Sequence, residues 1–227
     1  MGGFCYQTYN QLPSIAEANY RFNKQLALAS LTDLEFFTEL VPLFSSERNE
    51  SGPSYSPCVI HRHFDLENGE RMVANGNISQ PSKDTSPNIV PECWLSTQDE
   101  IEHRYVDDPS SIPPPPSADF FSRFNAILRK YNIDDIGICY SPPPLKPEHI
   151  YLETLEHDSR LQIINQVLAS SIDDATTLPS IWTLMSGLMG GRTLTDGRIM
   201  SASFSPCIQC ITKCADCPPA TVVLDQL

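Results

Sequence analysis

Positive charge is scarce in this chain: fifteen Lys plus Arg stand against twenty-eight Asp plus Glu, a formal net charge of -13 over 227 residues. Such a surface repels phosphate backbones and anionic headgroups, so no nucleic acid and no membrane is expected as a partner, and a basic protein or a small molecule is left. Glycine is also sparse, ten against twenty prolines, which predicts stiffened loops and helix ends in place of long uninterrupted elements. Nowhere do eighteen apolar residues occur together, and the first thirty residues lack a basic stretch followed by an apolar run and a small-residue cleavage site. A soluble, cytoplasmic protein is therefore expected. Motifs are missing too. There is no Gly-x-Ser-x-Gly elbow, no phosphate loop, no dinucleotide fingerprint and no His-Glu-x-x-His, and the glycines of residues 187–193 lack the Lys-Ser/Thr that holds a nucleotide.

What remains is enough for a folded core, with 41% hydrophobic and 19% charged residues. Ser14 and Glu17 form a capping box ahead of Ile15, Ala18, Phe22, Leu26 and Ala29, which recur at helical spacing and predict a helix over 14–30. Thr32 and Glu35 repeat the box, with Leu34, Phe37, Leu40 and Val41 as the stripe and Pro42 where the helix should stop. Residues 1–44 thus read as an N-terminal helical hairpin, 45–57 as a flexible connector of Ser, Glu, Asn, Gly and Pro, and 58–227 as an α+β domain with a Cys-rich C-terminal segment. Strands are expected near 92–95, 101–106, 136–140, 150–155, 181–185 and 199–204. A polyproline rod, Pro113 to Pro116, leads into a helix capped by Ser117, and an amphipathic helix is expected over 158–169. Helices and strands do not alternate as crossovers would require, so the fold class is α+β: an antiparallel sheet with packed helices.

Two clusters carry chemistry. If residues 58–66 are extended, His61, His63 and Asp65 project from one face and Ile60, Phe64 and Leu66 from the other. Asn68-Gly69 is the turn signal of a β-hairpin, and a two-residue turn there would set Asp65 opposite Met72 and His63 opposite Ala74, with Glu67 beside Glu70. Two histidines and a carboxylate are the donor set of catalytic zinc and non-haem iron sites, so His61, His63 and Asp65 are the expected ligands of Zn or Fe. Asp65, Glu67, Glu92, His103, His149 and His157 all compete for the third place. Without a metal, His61 or His63 would act as a general base oriented by Asp65 or Glu67.

The second cluster is Cys207, Cys210, Cys214 and Cys217, whose gaps of two, three and two residues suit neither a zinc ribbon nor a ferredoxin. The steps of three, four and three make one stripe of a helix capped by Ser205, about 15 Å long and too extended to chelate one ion. Helix core, metal cluster and disulfides remain alternatives there. The chain shows no export signal, so reduced thiols, metal ligands or small buried hydrophobes are the expectation for cysteines at large.

His61-Arg62-His63, three residues, then Glu67 resembles the first metal-binding motif of the cupins over about sixteen residues. It lacks the glycine that precedes that motif, and Gly76 falls two residues late. His61-Arg62-His63-Phe64, Gly69-Glu70, Pro91-Glu92-Cys93-Trp94 and the proline rod, across residues 58–140, resemble small uncharacterised proteins of filamentous fungi, and that resemblance implies company with natural-product pathways. The expected function is a small-molecule-binding protein or accessory enzyme of lyase, isomerase or oxygenase-like chemistry, metal-dependent through the histidines. The rival is a non-catalytic acidic interaction module that binds a protein.

Overall fold

The computed structural model describes residues 6–46, 48–49, 52–143, 145–146, 148–172, 177–186 and 204–213, with backbone alone at 48–49, 52–53, 111, 182–186 and 204–213. The chain is mixed α and β. The N-terminal helices are α1 (Tyr6–Asn10), α2 (Ile15–Leu28) and α3 (Asp33–Ser46). A two-residue ladder, β1 (Arg48–Asn49) with β2 (Gly52–Pro53), precedes β3 (Tyr55–Val59). Then come β4 (Arg71–Asn75), β5 (Ile78–Ser82), β6 (Ile89–Trp94) and β7 (Glu100–Tyr105). After α4 (Ala118–Tyr131) follow β8 (Ile136–Tyr140), β9 (His149–Glu156), β10 (Leu161–Leu168), β11 (Thr177–Ser186) and β12 (Phe204–Lys213). Strands β3 to β12 close into a barrel in the order β10-β5-β4-β7-β6-β8-β3-β11-β12-β9. Its pairs are antiparallel except β4 with β7 and β9 with β12.

Local chemistry explains the helices. Ser14 accepts from Glu17 N–H, and Ser117 accepts from Phe120 N–H, as N-caps should. Thr32 Oγ1 accepts from Glu35 N–H while Glu35 Oε2 accepts from Thr32 N–H, a complete capping box. Pro42 does not end α3 as its sequence position suggests; it sits inside the helix, and Leu43 and Phe44 beyond it are buried. One missing hydrogen bond is offset there by apolar burial. Asn132, at φ 53°, stops α4 in the left-handed conformation.

Two apolar clusters divide along the strand pleat. Tyr55, Val59, Trp94, Ile136, Ile138 and Tyr140 face outward into a cluster with Phe22, Phe36, Phe44, Phe120 and Phe124 from the helices. The ring of Phe44 meets that of Phe120 edge-on at 5.1 Å, and Phe22 meets Phe36 at 5.6 Å. The alternate residues Cys58, Cys93 and Cys139 join Ile60, Phe64, Met72 and Tyr9 in the second cluster, on the barrel's inner side. Because helices cover one face and the interior the other, β3 and β8 are buried along their whole length. Tyr140 Oη donates to Pro113 O at 2.7 Å and Tyr55 Oη donates to Pro114 O, so the proline rod is tied to this covered wall.

Gly137 is the point of closest approach in that wall. A Cβ added there would collide with the Ile60 side chain and with Trp94 O. Gly137→Ala is expected to destabilise the protein by about 1–3 kcal/mol, read as a lower urea midpoint with an unchanged slope.

Several expectations change. Residues 161–168 are strand β10, not part of an amphipathic helix, because they pair with β9 on one side and β5 on the other. The stretch from Ser45 to Pro57, expected as a connector, contains the beginning of the buried strand β3. Residues 204–213, which hold Cys207 and Cys210, form β12 instead of a helix, laddered to β11 and β9. Cys214, Cys217 and the expected strand at 199–203 lie outside the described residues. Among the described residues no helix is long and apolar enough to cross a membrane.

Candidate metal centre in the barrel cavity

Strands β3 and β4 are separated in the ring by β8, β6 and β7, so the chain between them must cross the barrel instead of turning back as a hairpin. Asn68-Gly69 does form a turn, with Gly69 at φ 81°, but the expected ladder across it is absent because β3 pairs with β8 and β11 while β4 pairs with β5 and β7. Residues 60–70 therefore lack the alternation of a strand. Helix α1 and the turn after it fasten them: Arg62 N–H donates to Pro13 O, Leu66 N–H to Asn10 Oδ1, and Asn10 Nδ2 to Leu66 O. Arg160 donates to Asp65 O and to Glu70 Oε2 from the far side. His61 and His63 are thereby both buried, at 7% and 6% exposure.

The crossing segment sends the two imidazoles into a cavity of about 510 Å³, within the usual range for small-molecule sites. Its wall is apolar at Ile60, Ile101 and Ile181 and polar at Glu92, Glu102, Arg104, Glu153 and Gln162. His61 Nδ1 lies 3.0 Å from Val59 O, to which it donates as Nδ1–H. His63 Nδ1 is 3.1 Å from Glu102 Oε1 and 3.1 Å from Tyr9 Oη. Both Nε2 atoms are then left facing one carboxylate: Glu153 Oε1 is 3.4 Å from His61 Nε2 and 3.2 Å from His63 Nε2. Glu153, from β9, is 3% exposed.

A single donor oxygen and two imidazole nitrogens, all within 4.8 Å of one another, form a group able to hold a metal ion. Metal–ligand bonds of about 2.0–2.1 Å in a tetrahedron place neighbouring donors about 3.3–3.4 Å apart, which matches the Glu153 distances to both rings. Each imidazole has its other nitrogen anchored to a carbonyl or a carboxylate, the usual outer support of a metal-bound histidine. Gln162 Nε2 approaches His63 Nε2 at 3.1 Å, while its Oε1 is buried without a hydrogen-bond partner. Ser180 Oγ, also on the cavity wall, is buried and unpartnered as well. Polar atoms left unpaired in a closed space are costly unless something else fills them.

Without metal, the same atoms make a buried ion pair. Burial opposes the charge on His63, but Tyr9, Glu153 and Glu102 outweigh it and push the imidazole well above its ordinary value. Burial likewise tends to raise Glu153, yet His63 and His61 hold its carboxyl well below the usual range. Burial also raises the Tyr9 hydroxyl, with His63 pulling the other way.

The remaining expected residues are placed elsewhere. Asp65 is 80% exposed and pairs with Arg62 at 2.8 Å; Glu67 is 69% exposed and pairs with Lys83 at 3.1 Å. His103 is buried with Nε2 3.3 Å from Glu100 Oε2, and His157 meets the edge of Phe64 at 5.9 Å. His149 begins β9, and neither it, His103 nor His157 belongs to the three-donor group. Glu92 does line the cavity, opposite Arg104, whose Nη1 is 3.8 Å away and whose guanidinium lies 4.8 Å over the Tyr140 ring. The residues missed by sequence reasoning are Glu153, Glu102, Tyr9 and Gln162.

Burial pushes Glu92 up to about 7, with Arg104 opposing and Glu102 reinforcing the shift. A carboxyl raised above its unfolded value of 4.5 costs nothing below that pH and destabilises progressively as pH rises through the folded value. Glu92→Gln should therefore leave stability at pH 4 unchanged and raise it at pH 8 by roughly 1–2 kcal/mol. Urea midpoints of the two proteins at both pH values check this, and an equal difference at each would refute it.

No protein family, curated protein or solved structure matches this chain.

Proposed function

We propose that the barrel is a small-molecule-binding protein whose cavity holds a divalent transition metal on His61 Nε2, His63 Nε2 and Glu153 Oε1, and that it acts on its ligand as a metal-dependent accessory enzyme. The observation that carries this reading is the convergence of both Nε2 atoms on one carboxylate oxygen, with both Nδ1 atoms engaged outside. Three protein ligands leave coordination positions open, which distinguishes a catalytic site from a closed structural one. Zinc or iron fits the two-imidazole, one-carboxylate set. The unpaired Gln162 Oε1 and Ser180 Oγ supply acceptors for a coordinated water or for a polar group of the ligand. The metal would supply a Lewis acid or an activated water, which serves lyase, isomerase and oxygenase-like chemistry alike. Glu102 would hold the proton on His63 Nδ1 and keep that ring aligned, and the apolar wall would exclude bulk water.

The test is a cobalt titration followed by visible d–d absorption, with elemental analysis of the purified protein. One equivalent bound by wild type and by Asp65→Asn/Glu67→Gln, and none by His61→Ala/His63→Ala with its near-ultraviolet circular dichroism retained, supports the reading. Absence of binding in wild type, or a double histidine variant that binds as wild type does, overturns it.

A further inference from the structure

Cys93 and Cys139 sit directly opposite each other on β6 and β8, with Cα atoms 4.1 Å apart, and are joined as a disulfide. The sequence alone does not pair these two cysteines; barrel closure places them side by side. Cys58, on β3, is opposite Gly137, two residues before Cys139 on β8. A diagonal position on the same face of neighbouring strands brings side chains within reach. All three sulfurs lie within 4.8 Å of one another, all three residues are buried, and all three line the cavity.

We propose that Cys58, Cys93 and Cys139 form a second metal site, a three-thiolate cradle for a soft d10 ion such as Cd2+, which opens when the disulfide is reduced. Sulfur atoms bonded at about 2.3 Å to one ion stand about 3.8–4.0 Å apart. Cys58 Sγ lies within 4.8 Å of both sulfurs of the pair, and the pair itself must part to take up that spacing. The steps balance. A dithiol is oxidised to its own disulfide and hands over two electrons and two protons, or a phosphine is oxidised to its oxide with water supplying the oxygen and both protons, and in either case the S–S bond breaks and Cys93 and Cys139 become thiols. The ion then replaces one proton on each of three thiols, forming three metal–sulfur bonds and releasing three protons. The donors come from β3, β6 and β8, strands adjacent in the ring and packed under the helices, so the three sulfurs stay neighbours in the folded protein once the S–S bond is opened. It is chemically distinct from the histidine site, since thiolate selects soft ions whereas imidazole and carboxylate suit borderline and hard ones.

The test uses the full chain carrying His61→Ala/His63→Ala, to silence the first site, together with Cys207→Ser, Cys210→Ser, Cys214→Ser and Cys217→Ser. Cadmium is the probe, its ultraviolet sulfur-to-metal charge-transfer band the signal. Before reduction no band is expected; after phosphine treatment and its removal, one equivalent should bind. Adding Cys58→Ala should weaken cadmium binding at least tenfold. A second measurement needs no variant: in reduced wild-type protein, cadmium should slow alkylation of Cys58, Cys93 and Cys139 together, read peptide by peptide by mass spectrometry. No band in the reduced protein, an unchanged titration with Cys58→Ala, or protection of the 93/139 pair without Cys58 would each overturn the proposal. Because the histidines are absent from the first experiment, its failure leaves the metal centre at Glu153 untouched.

Discussion

Glu153→Gln is expected to lower cobalt or zinc affinity on the order of 100-fold or more, a larger loss than that of any outer support. The substitution removes the oxygen toward which both imidazole Nε2 atoms converge and keeps the shape of the side chain. Glu153→Leu should do more, costing the metal-free protein about 1.5–3 kcal/mol, because it takes from the buried His63 imidazolium one of its two carboxylate partners and leaves Glu102 alone. The pH dependence follows from the two opposed shifts. His63 is raised above its unfolded 6.5, so its contribution to stability is fully present below that pH and is lost as pH rises through the folded value. Glu153 is lowered from 4.5, so its contribution is present above that pH and is lost as pH falls through the folded value. The metal-free protein should therefore draw most from this pair between pH 4.5 and 6.5. Urea titrations of wild type and Glu153→Leu should differ most in that window. A difference that is flat from pH 4 to 8 would show that the pair is not ionised as the geometry implies.

The histidines were legible because His-x-His is local, and their neighbour in sequence was a natural choice of third donor. The structure instead draws the carboxylate from β9, 92 residues away from His61. Only ring closure brings β9 to that place: β9 pairs in parallel with β12, and β10 closes against β5 by two registered pairs. Such non-local pairings leave no periodic trace. One signal was present, however. Glu153 stands alone as a charge in the strand Ile150-Tyr151-Leu152-Glu153-Thr154-Leu155, and a carboxylate in the middle of an apolar strand is rarely buried without a partner. Gln162 was hidden differently. Leu161, Ile164, Val167 and Leu168 fall at steps of three, three and one, which mimic a helical stripe. In the strand they form, Gln162 turns into the cavity opposite Leu155 in the ladder.

The helices were read more readily because their determinants lie within a few residues of each other. Ser14, Thr32 and Ser117 each act through bonds to the next turn, and the aromatic residues of α3 and α4 fill one face each. Proline was the exception. Pro42 breaks a helix only when nothing beyond it is worth burying, and Phe44, packed on Phe120 and Phe124, is fully buried.

Reduction of the Cys93–Cys139 disulfide is expected to lower the free energy of unfolding by about 4 kcal/mol, from the entropy of a closed loop of 46 residues in the unfolded chain. That is a large share of the roughly 5–15 kcal/mol that holds a domain of ordinary stability. The native side adds a reason for local consequences. Strands β6 and β8 are registered at two residue pairs only, Cys93 with Cys139 and Trp94 with Ile138, so the cross-link reinforces a short seam in the ring. Opening of a seam with so few ladder bonds should precede global unfolding, and amide exchange at Trp94 and Ile138 should accelerate on reduction more than exchange in β9 and β10, which share eight registered pairs. Urea titration with and without a phosphine, on wild type and on Cys93→Ala/Cys139→Ala, separates this cross-link from every other thiol. The double variant should match the reduced wild type and ignore the reductant. If it instead matches the oxidised wild type, the helices packed over β3 and β8 hold the seam closed by themselves, and the disulfide serves the cavity chemistry and not the fold.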